Sequence, residues 1–423
     1  MEERKTVPQM TNTNAVVAAP PAKAHTLRAI LLASLADGTS VIRDPLLGED
    51  QLHLIDCLTR LGVKIEKKGS DLTIRGTNGR FTPVNRELDV GESGVAMNTL
   101  TAVASLVPGD IVLTGAPGLL ARPVGDLVDA LRQLGCEIQW MGREAHPPLL
   151  VRSSSIPGGT GRVSGIKTSQ YFSSLALSAP LARNDVTLIC VDELSEKPYF
   201  DITLQMMERF GAQAINRGYR EVSIPSGQSY RACDYRVEGD WSSASFYLLA
   251  AAVCKSTVRV TGLSADTKQG DRLFASLMET MGARVAWDGP DLVVTGGTLS
   301  PIRVAMADTP DLVPPLAIAA AFAAGTSVFA KVGHLRYKEC NRLEAIKTEL
   351  GKMGIRCEYD DDLVIHGDPS ALRPAVIDSW NDHRIAMSFA VAGLALGGVE
   401  ILNPGCVSKS FPDFWERIGP FWG

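Results

Sequence analysis

A five-residue pattern recurs along this chain at a nearly constant interval. Each copy reads apolar residue, Gly, small residue, any residue, apolar residue, and each follows a short helical stretch. The copies are LGVKI at 61–65, LGCEI at 134–138, FGAQA at 210–214, MGARV at 281–285 and MGIRC at 353–357. Successive glycines lie 73, 76, 71 and 72 residues apart, from Gly62 to Gly354. So steady a period over four intervals indicates a chain built from repeated structural units.

Each repeat combines strands with two kinds of helix. Alternating apolar runs such as 110–114 and 257–261 predict strands. The stretch 125–134 has apolar residues at helical spacing and predicts an amphipathic helix that ends at a capping glycine. Ala-rich apolar stretches, too long for strands, predict buried helices at 95–106, 173–181, 244–253 and 312–324. A sixth strand at 398–402 has no full repeat after it, so the simplest count is six repeats in two groups of three.

Composition restricts the class of protein. At 423 residues the chain is too long for one ordinary core, which predicts two domains. A net charge of −5 provides no basic surface for nucleic acid, and no apolar run approaches the length of a membrane span. The eight cysteines are scattered without a CxxC motif, and no His pair has metal-ligand spacing. We therefore expect reduced thiols, a cytoplasmic location and no metal.

Several charged residues lie in loops after strands or at helix starts. The cations are Lys23, Arg28, Arg122, Lys338, Arg342, Arg384 and Lys409. Helix N-termini favour anions, so cations at such positions in distant repeats predict a ligand with several negative charges. Asp311 and Glu339 are the candidate proton-transfer groups, and neighbouring cations would keep both ionised. Taken singly, each cation is more simply a surface charge or a structural ion pair, and Asp311 could equally cap a helix.

The motifs together resemble those of the enolpyruvyl transferases, most closely the EPSP synthase family, and the chain would be a divergent member. The matching segments are ARPVG at 121–125, TSQYF at 168–172, KPYFDIT at 197–203, EGD at 238–240, KE at 338–339 with RL at 342–343, NDHR at 381–384 and KSFPD at 409–413. The resemblance implies a two-domain inside-out α/β barrel, each domain made of three βαβαββ units around buried helices. The first domain would comprise 1–21 plus 240–423 and the second 22–239, with the active-site cleft between them.

The family reaction joins a hydroxyl of a shikimate-type acid to C2 of phosphoenolpyruvate and releases phosphate, as in the shikimate pathway to aromatic amino acids. By resemblance, Lys23, Asp311 and Glu339 would carry the acid–base chemistry. The residues implied to bind phosphoenolpyruvate are Lys23, Gly94, Arg122, Gln170, Arg342, Arg384 and Lys409. Those implied to face the acceptor are Arg28, Thr168, Ser169, Glu196, Tyr199, His334 and Lys338. The resemblance also implies a monomer without cofactor, binding only small-molecule substrates and closing around them.

Departures from the family pattern collect at the acceptor side. Ala24, Glu92, Val95, Asn98, Glu196 and His334 stand where the family has Ser, Asn, Thr, Arg, Ser and Asn. The serine replaced by Glu196 would help to bind the acceptor phosphate. A carboxylate about 4 Å from a phosphate costs on the order of 4 kcal/mol at an effective dielectric near 20. Either Glu196 points away, or the acceptor carries no phosphate there.

Three other functions remain open. The chain could be a lyase or dehydratase acting on a shikimate-type acid with the same scaffold. It could be an inactive homologue that serves as a binding protein, although the retained acid–base residues argue against this. The related sugar-nucleotide enolpyruvyl transferases carry a Cys in the loop before Arg-Pro, and the loop 115–122 has none.

Overall fold

The protein divides into two compact units. The computed structural model describes residues 3–11 and 13–421. Unit 1 contains the chain up to Ala22 and from Glu238 onward, and unit 2 is Lys23–Val237. Within unit 1 the two connecting segments lie side by side, because the amide of Ala22 donates to the carbonyl of Glu238 at 2.8 Å.

Within the described residues, six small mixed sheets carry the repeats. In a full repeat the strands are ordered first, second, fourth, third across the sheet. The first two strands are parallel and the other pairings are antiparallel, for example in the sheet that contains Ile111–Thr114. In repeats 2, 3 and 5 one helix connects the first strand to the second, whereas in repeats 1 and 4 the first strand comes from a distant part of the chain. In all five full repeats a further helix connects the second strand to the third. This is the predicted βαβαββ unit, and the α/β fold class is confirmed.

Unit 2 contains repeats 1 to 3. Repeat 1 consists of strand Asp234–Arg236, helix Lys23–Leu35, strand Thr39–Arg43, helix Glu49–Arg60 and strands Lys64–Lys68 and Asp71–Arg75. Repeat 2 consists of strand Glu87–Asp89, helix Gly94–Ala104, strand Ile111–Thr114, helices Pro117–Leu120 and Gly125–Gln133, and strands Ile138–Trp140 and Leu149–Val151. Repeat 3 consists of strand Gly159–Val163, helix Gln170–Ser178 with the 3₁₀ turn Ala179–Leu181, strand Val186–Cys190, helix Lys197–Arg209 and strands Ile215–Arg217 and Glu221–Ile224.

Unit 1 contains repeats 4 to 6. Repeat 4 consists of strand Asn14–Ala18, helix Trp241–Val253, strand Thr257–Thr261, the 3₁₀ turn Gly270–Arg272, helix Leu273–Met281 and strands Arg284–Asp288 and Asp291–Thr295. Repeat 5 consists of strand Arg303–Ala305, the 3₁₀ turn Pro310–Leu312, helix Val313–Ala321, strand Gly325–Ala330, the 3₁₀ helix Gly333–Tyr337, helix Arg342–Lys352 and strands Arg356–Tyr359 and Leu363–Gly367. Repeat 6 consists of strand Val376–Asp378, helix His383–Leu396, strand Val399–Leu402, the 3₁₀ helix Pro404–Lys409, helix Phe414–Arg417, the 3₁₀ turn Gly419–Phe421 and the N-terminal strand Arg4–Val7.

Repeat 6 is incomplete, as the sequence predicts. Its sheet has three strands where the other five sheets have four. Strand Arg4–Val7 pairs antiparallel with Val399–Leu402 and so takes the place of the missing last strand. Distant parts of the chain therefore close the sheet.

The Ala-rich stretches form the predicted buried helices. Every residue of Trp241–Val253 is buried, and this helix packs against Val313–Ala321 and His383–Leu396. In unit 2, Gly94–Ala104 packs closely against Gln170–Ser178. The helix predicted at 173–181 instead begins at Gln170 and ends in a 3₁₀ turn at Pro180, since proline has no amide hydrogen to continue it. Small Ala side chains allow these helices to approach one another inside each unit.

The recurring glycines adopt the predicted left-handed conformation. Gly62, Gly135, Gly211, Gly282 and Gly354 have φ of +92°, +89°, +90°, +118° and +95°. A Cβ at Gly62 would lie 2.4 Å from the carbonyl oxygen of Thr82, so only glycine fits. The predicted cap position is wrong by one residue for four copies, where the preceding apolar residue is the cap. Only Gly282 is itself the cap. Among the described residues, no helix is both long and apolar enough to cross a membrane.

Candidate active site

Arg342 is the centre of the charged cluster in unit 1. It is the first residue of helix Arg342–Lys352, and its side chain is 1% exposed. Its Nη1 lies 2.8 Å from Asp311 Oδ1, its Nη2 2.7 Å from Glu339 Oε2, and its Nε 2.8 Å from Asp382 Oδ2. Burial alone would lower the pKa of Arg342, but the three carboxylates hold this pKa well above its usual value. The guanidinium therefore stays charged and fixes three acids around itself.

Arg384 connects the N-termini of the three buried helices of unit 1. It lies in the first turn of His383–Leu396, where Asp382 caps the helix by accepting from the amide of Arg384 at 2.9 Å. Its Nη2 lies 2.7 Å from Asp311 Oδ2, in the turn before Val313–Ala321. Its Nη1 donates to Ser242 Oγ at 2.6 Å, in the first turn of Trp241–Val253. The positive ends of three helix dipoles and two guanidinium groups therefore meet here.

Asp311 is held as an ionised acceptor. Burial would raise the pKa of Asp311, but the charges of Arg384, Arg342 and Lys338 outweigh it and hold the pKa well below its usual range. Glu339 binds Arg342 on one side, and its Oε1 lies 3.6 Å from Lys409 Nζ on the other. Asp311 is therefore ionised near neutral pH, where it can accept hydrogen bonds but has no proton to donate.

Asp271 belongs to the same network. This carboxyl is buried in the turn Gly270–Arg272, where the charges of Asp311 and Arg384 act on its pKa. Burial, and next the charge of Asp311, raise the pKa of Asp271 to about 7. Two neighbouring carboxyls in one cluster are therefore driven in opposite directions, Asp311 to the ionised form and Asp271 toward the protonated form.

Replacing Asp271 by Asn should change how stability depends on pH. The folded pKa lies above the unfolded value near 3.8, so the folded state binds a proton that the unfolded state lacks between about pH 4 and 7. The stabilisation that this proton gives to the folded state is fully present below pH 4 and is lost as the pH rises through 7. We compare the free energy of unfolding of Asp271→Asn with that of the wild type at each pH. This difference should be more favourable to the variant at pH 8 than at pH 4.5 by on the order of 1–3 kcal/mol. Urea unfolding at both pH values measures this difference. Exposed Asp266→Asn is the control, and an Asp271→Asn effect equal at both pH values would contradict the assignment.

In unit 2, Lys23 begins the first buried helix. It is the first residue of Lys23–Leu35, and its Nζ lies 2.6 Å from Asp50 Oδ2. The Lys23 side chain is 16% exposed and that of Asp50 is 4% exposed. Asp50 lies in the first turn of Glu49–Arg60, so this short ion pair joins the starts of two helices.

Arg122 and Gly94 are neighbours at the start of the second buried helix. A Cβ on Gly94 would lie 3.5 Å from Arg122 Nη1, so the guanidinium faces the helix N-terminus. Ser93 caps this helix by accepting from the amide of Ala96 at 3.3 Å. Arg122 Nη2 lies 3.6 Å from Glu92 Oε2, a loose ion pair. The Glu92 departure therefore places an acid beside a cation that the resemblance assigns to phosphoenolpyruvate.

The third buried helix carries Thr168, Ser169 and Gln170 at its start. Gln170 is its first residue, and its Oε1 accepts from Asn98 Nδ2 at 2.7 Å. Glu196 Oε2 accepts from Thr168 Oγ1 at 2.8 Å and from the Ser169 amide at 3.2 Å. The carboxylate of Glu196 therefore points toward two residues that the resemblance assigns to the acceptor, and not away from them.

Arg28 and Tyr199 are tied into the unit 2 framework. Arg28 donates to Thr203 Oγ1 at 2.8 Å and to the carbonyls of Ala24 and Tyr199 at 3.0 and 2.9 Å. Burial lowers the pKa of Arg28 to about 10. These contacts hold helix Lys23–Leu35 against Lys197–Arg209. His334 is buried in the 3₁₀ helix before Lys338, on the same connection as Glu339.

Contacts thus join most of the predicted site residues of unit 1 to one another, whereas those of unit 2 lie in separate small groups. Unit 1 links Asp311, Glu339, Arg342, Arg384 and Lys409 directly. In unit 2, Lys23, Gly94, Thr168, Ser169 and Gln170 lie at the starts of the three buried helices, whereas Glu196 and Tyr199 lie at the start of Lys197–Arg209 and Arg28 lies inside Lys23–Leu35. Sequence reasoning missed Asp50, Ser242 and Asp271. The only signal for them is a Ser or Asp at a helix or turn start, as in GED at 48–50 and GDR at 270–272, which is too common to single them out.

Comparisons with known proteins agree with this architecture. A sequence profile of EPSP synthase (3-phosphoshikimate 1-carboxyvinyltransferase) matches residues 7–418. A 3-phosphoshikimate 1-carboxyvinyltransferase of Vibrio cholerae is 40% identical over 403 residues, covering 94% of this chain and 95% of the relative. One of Erwinia tasmaniensis is 39% identical, covering 99% and 98%. The solved EPSP synthase of Acinetobacter baumannii superposes with a TM-score of 0.82 at 26% identity, covering 100% of this chain and 98% of that one. By sequence over nearly its whole length, and by fold, this chain belongs to the EPSP synthase family.

Proposed function

We propose that this protein transfers the enolpyruvyl group of phosphoenolpyruvate to a ring hydroxyl of a shikimate-type acid and releases phosphate. The supporting observation is the unit 1 cluster, in which Arg342, Arg384 and Lys409 surround two carboxylates at the starts of buried helices. Phosphoenolpyruvate carries a carboxylate and a phosphate, and each charge-assisted contact to them contributes about 1.5–3 kcal/mol. The relatives are named for carboxyvinyl transfer to 3-phosphoshikimate, which is the same chemistry.

The ion-pair distances suggest which cations turn to the substrate. Arg122 and Lys409 lie 3.6 Å from their carboxylate partners, whereas the Arg342 contacts are 2.7–2.8 Å. An ion pair with a longer distance loses less stabilisation when its cation turns from the carboxylate to a ligand. Arg122 and Lys409 are therefore the proposed mobile ligands of phosphoenolpyruvate, with Arg342 and Arg384 as fixed ones. Gly94 and Gln170 would contribute from the helix starts of unit 2.

The proton chemistry follows from the charge states. The acceptor hydroxyl attacks C2 while its proton passes to a carboxylate, and a proton is added to the methylene carbon C3. We assign the first role to Asp311, which is ionised and therefore has a free carboxylate to receive the proton. Lys23 is a cationic donor and suits the second, with Glu339 relaying protons beside Lys409. Loss of phosphate from the tetrahedral intermediate then returns the C3 proton. We also propose that the protein acts as a cytoplasmic monomer.

Phosphate release tests the proposal. Purified protein is incubated with phosphoenolpyruvate and with shikimate or shikimate 3-phosphate, and free phosphate and product mass are measured. We expect phosphate only when an acceptor is present, with a product heavier by one enolpyruvyl group. Asp311→Asn should abolish it. Water loss from the acid without phosphoenolpyruvate would identify a lyase, and no turnover with any acceptor would identify an inactive binding protein; either result contradicts the proposal.

A further inference from the structure

We infer that Glu196 makes this site reject a phosphorylated acceptor and select a cyclic hydroxy acid that presents an uncharged hydroxyl at this position. The inference rests on the proposed function and names its substrate class. Glu196 has φ of +57°, a left-handed conformation that is uncommon for a residue with a side chain. Its side chain is nevertheless buried, with 3% of the residue exposed. The fold therefore holds this carboxylate inward at a cost in backbone energy.

The carboxylate occupies donors that an anionic ligand would use. Thr168 Oγ1 and the Ser169 amide both donate to Glu196 Oε2, at 2.8 and 3.2 Å. These donors precede the nine-residue helix Gln170–Ser178, whose positive dipole end favours one negative group. In this protein the negative group at the helix start is the carboxylate of Glu196. The hydroxyl of Ser169, which is 0% exposed, lies at the same helix start without a hydrogen-bond partner. A small polar ligand group could satisfy it.

Charge decides between a phosphate and a hydroxyl. A phosphate accepting from Thr168 and Ser169 would lie about 4 Å from the Glu196 carboxylate or would have to displace it. At an effective dielectric near 20, two such charges reduce affinity by roughly a thousandfold. A ligand hydroxyl has no such penalty, because a carboxylate has about four lone-pair sites and accepts further hydrogen bonds.

The experiment measures binding without phosphoenolpyruvate, so that it does not depend on turnover. Shikimate and shikimate 3-phosphate are titrated calorimetrically into the wild-type protein, Glu196→Gln and Glu196→Ser. Gln keeps the shape and an acceptor oxygen for Thr168, whereas Ser leaves room for a phosphate. Glu193→Gln is the matched control. It removes the same charge three residues earlier in the chain, from a side chain that is 72% exposed.

We expect the wild-type protein to bind shikimate at least tenfold more tightly than its 3-phosphate. Glu196→Ser should bind the 3-phosphate at least about 100-fold more tightly than the wild type does, with a smaller gain for Glu196→Gln and none for Glu193→Gln. A wild-type preference for the 3-phosphate, an unchanged preference in Glu196→Ser, or no binding of either acid would overturn the inference. In the assay with phosphoenolpyruvate, phosphate release with shikimate 3-phosphate but not with shikimate would overturn the inference and support the proposed function. Selective binding of shikimate without phosphate release would support the inference and contradict the proposed function.

Discussion

Replacing Arg342 by Met should cause the largest combined loss of stability and activity of any single change in unit 1. The guanidinium contacts Asp311, Glu339 and Asp382, of which Asp382 is 0% exposed. Removing one partner of a buried ion pair leaves charge without compensation and typically costs about 3–5 kcal/mol. Since three carboxylates share this one cation, we expect the upper end of that range. Phosphate release should fall below detection.

Urea unfolding, followed by far-UV circular dichroism, measures the loss of stability. Two compact units can unfold separately, so we expect the transition assigned to unit 1 to shift and the other to remain. Arg336→Met is the matched control: this arginine is 31% exposed and lies 3.5 and 3.7 Å from Asp360 and Asp361. Exposed pairs of this kind contribute less than about 1 kcal/mol. Equal losses in the two variants would show that the Arg342 cluster does not organise unit 1.

Arg342→Lys separates charge from geometry. A lysine keeps the positive charge but cannot reach three carboxylates with one compact ammonium group. We expect part of the stability to return while the KM for phosphoenolpyruvate stays raised. Recovery of both would mean that charge alone suffices at this position.

The repeats could be predicted because each depends on a local requirement. The glycine at each helix end must adopt positive φ, and at Gly62 a neighbouring carbonyl excludes any Cβ. Such requirements leave a periodic trace in the sequence. The short sheet of repeat 6 could be counted for the same reason, but its third strand could not. Arg4–Val7 pairs with Val399–Leu402 across almost the whole chain, and no local pattern indicates that pairing.

The charge pattern of the site was only half predictable. Cations in helix-start loops are visible as residues, as Arg122 and Arg384 illustrate. Which acids fold back onto them depends on packing between repeats. Asp271 and Ser242 reach Arg384 from neighbouring segments of repeat 4, and Asp50 reaches Lys23 from the next helix. The orientation of Glu196 is a similar case, because its contacts with Thr168 and Ser169 join residues about 28 positions apart in the sequence.

Lys23→Met should strongly reduce turnover and should also destabilise unit 2. A second substitution, Asp50→Asn, should restore the stability but not the turnover. Met keeps the unbranched stem but removes the ammonium group 2.6 Å from Asp50 Oδ2. Asp50 is 4% exposed, so loss of this cation should destabilise unit 2 by about 2–4 kcal/mol. If Lys23 donates the proton and binds the substrate anion, phosphate release should fall by at least on the order of 10²–10³-fold.

The double variant Lys23→Met/Asp50→Asn distinguishes the two effects. Removing the carboxylate charge together with the ammonium leaves no uncompensated acid from this pair, so most of the lost stability should return. Catalysis should not return, because nothing replaces the proton donor. Urea unfolding and phosphate release are measured on the wild type, Lys23→Met, Asp50→Asn and the double variant, which together form a double-mutant cycle. If activity recovers along with stability in the double variant, Lys23 supports the fold of unit 2 and another group must protonate the vinyl carbon.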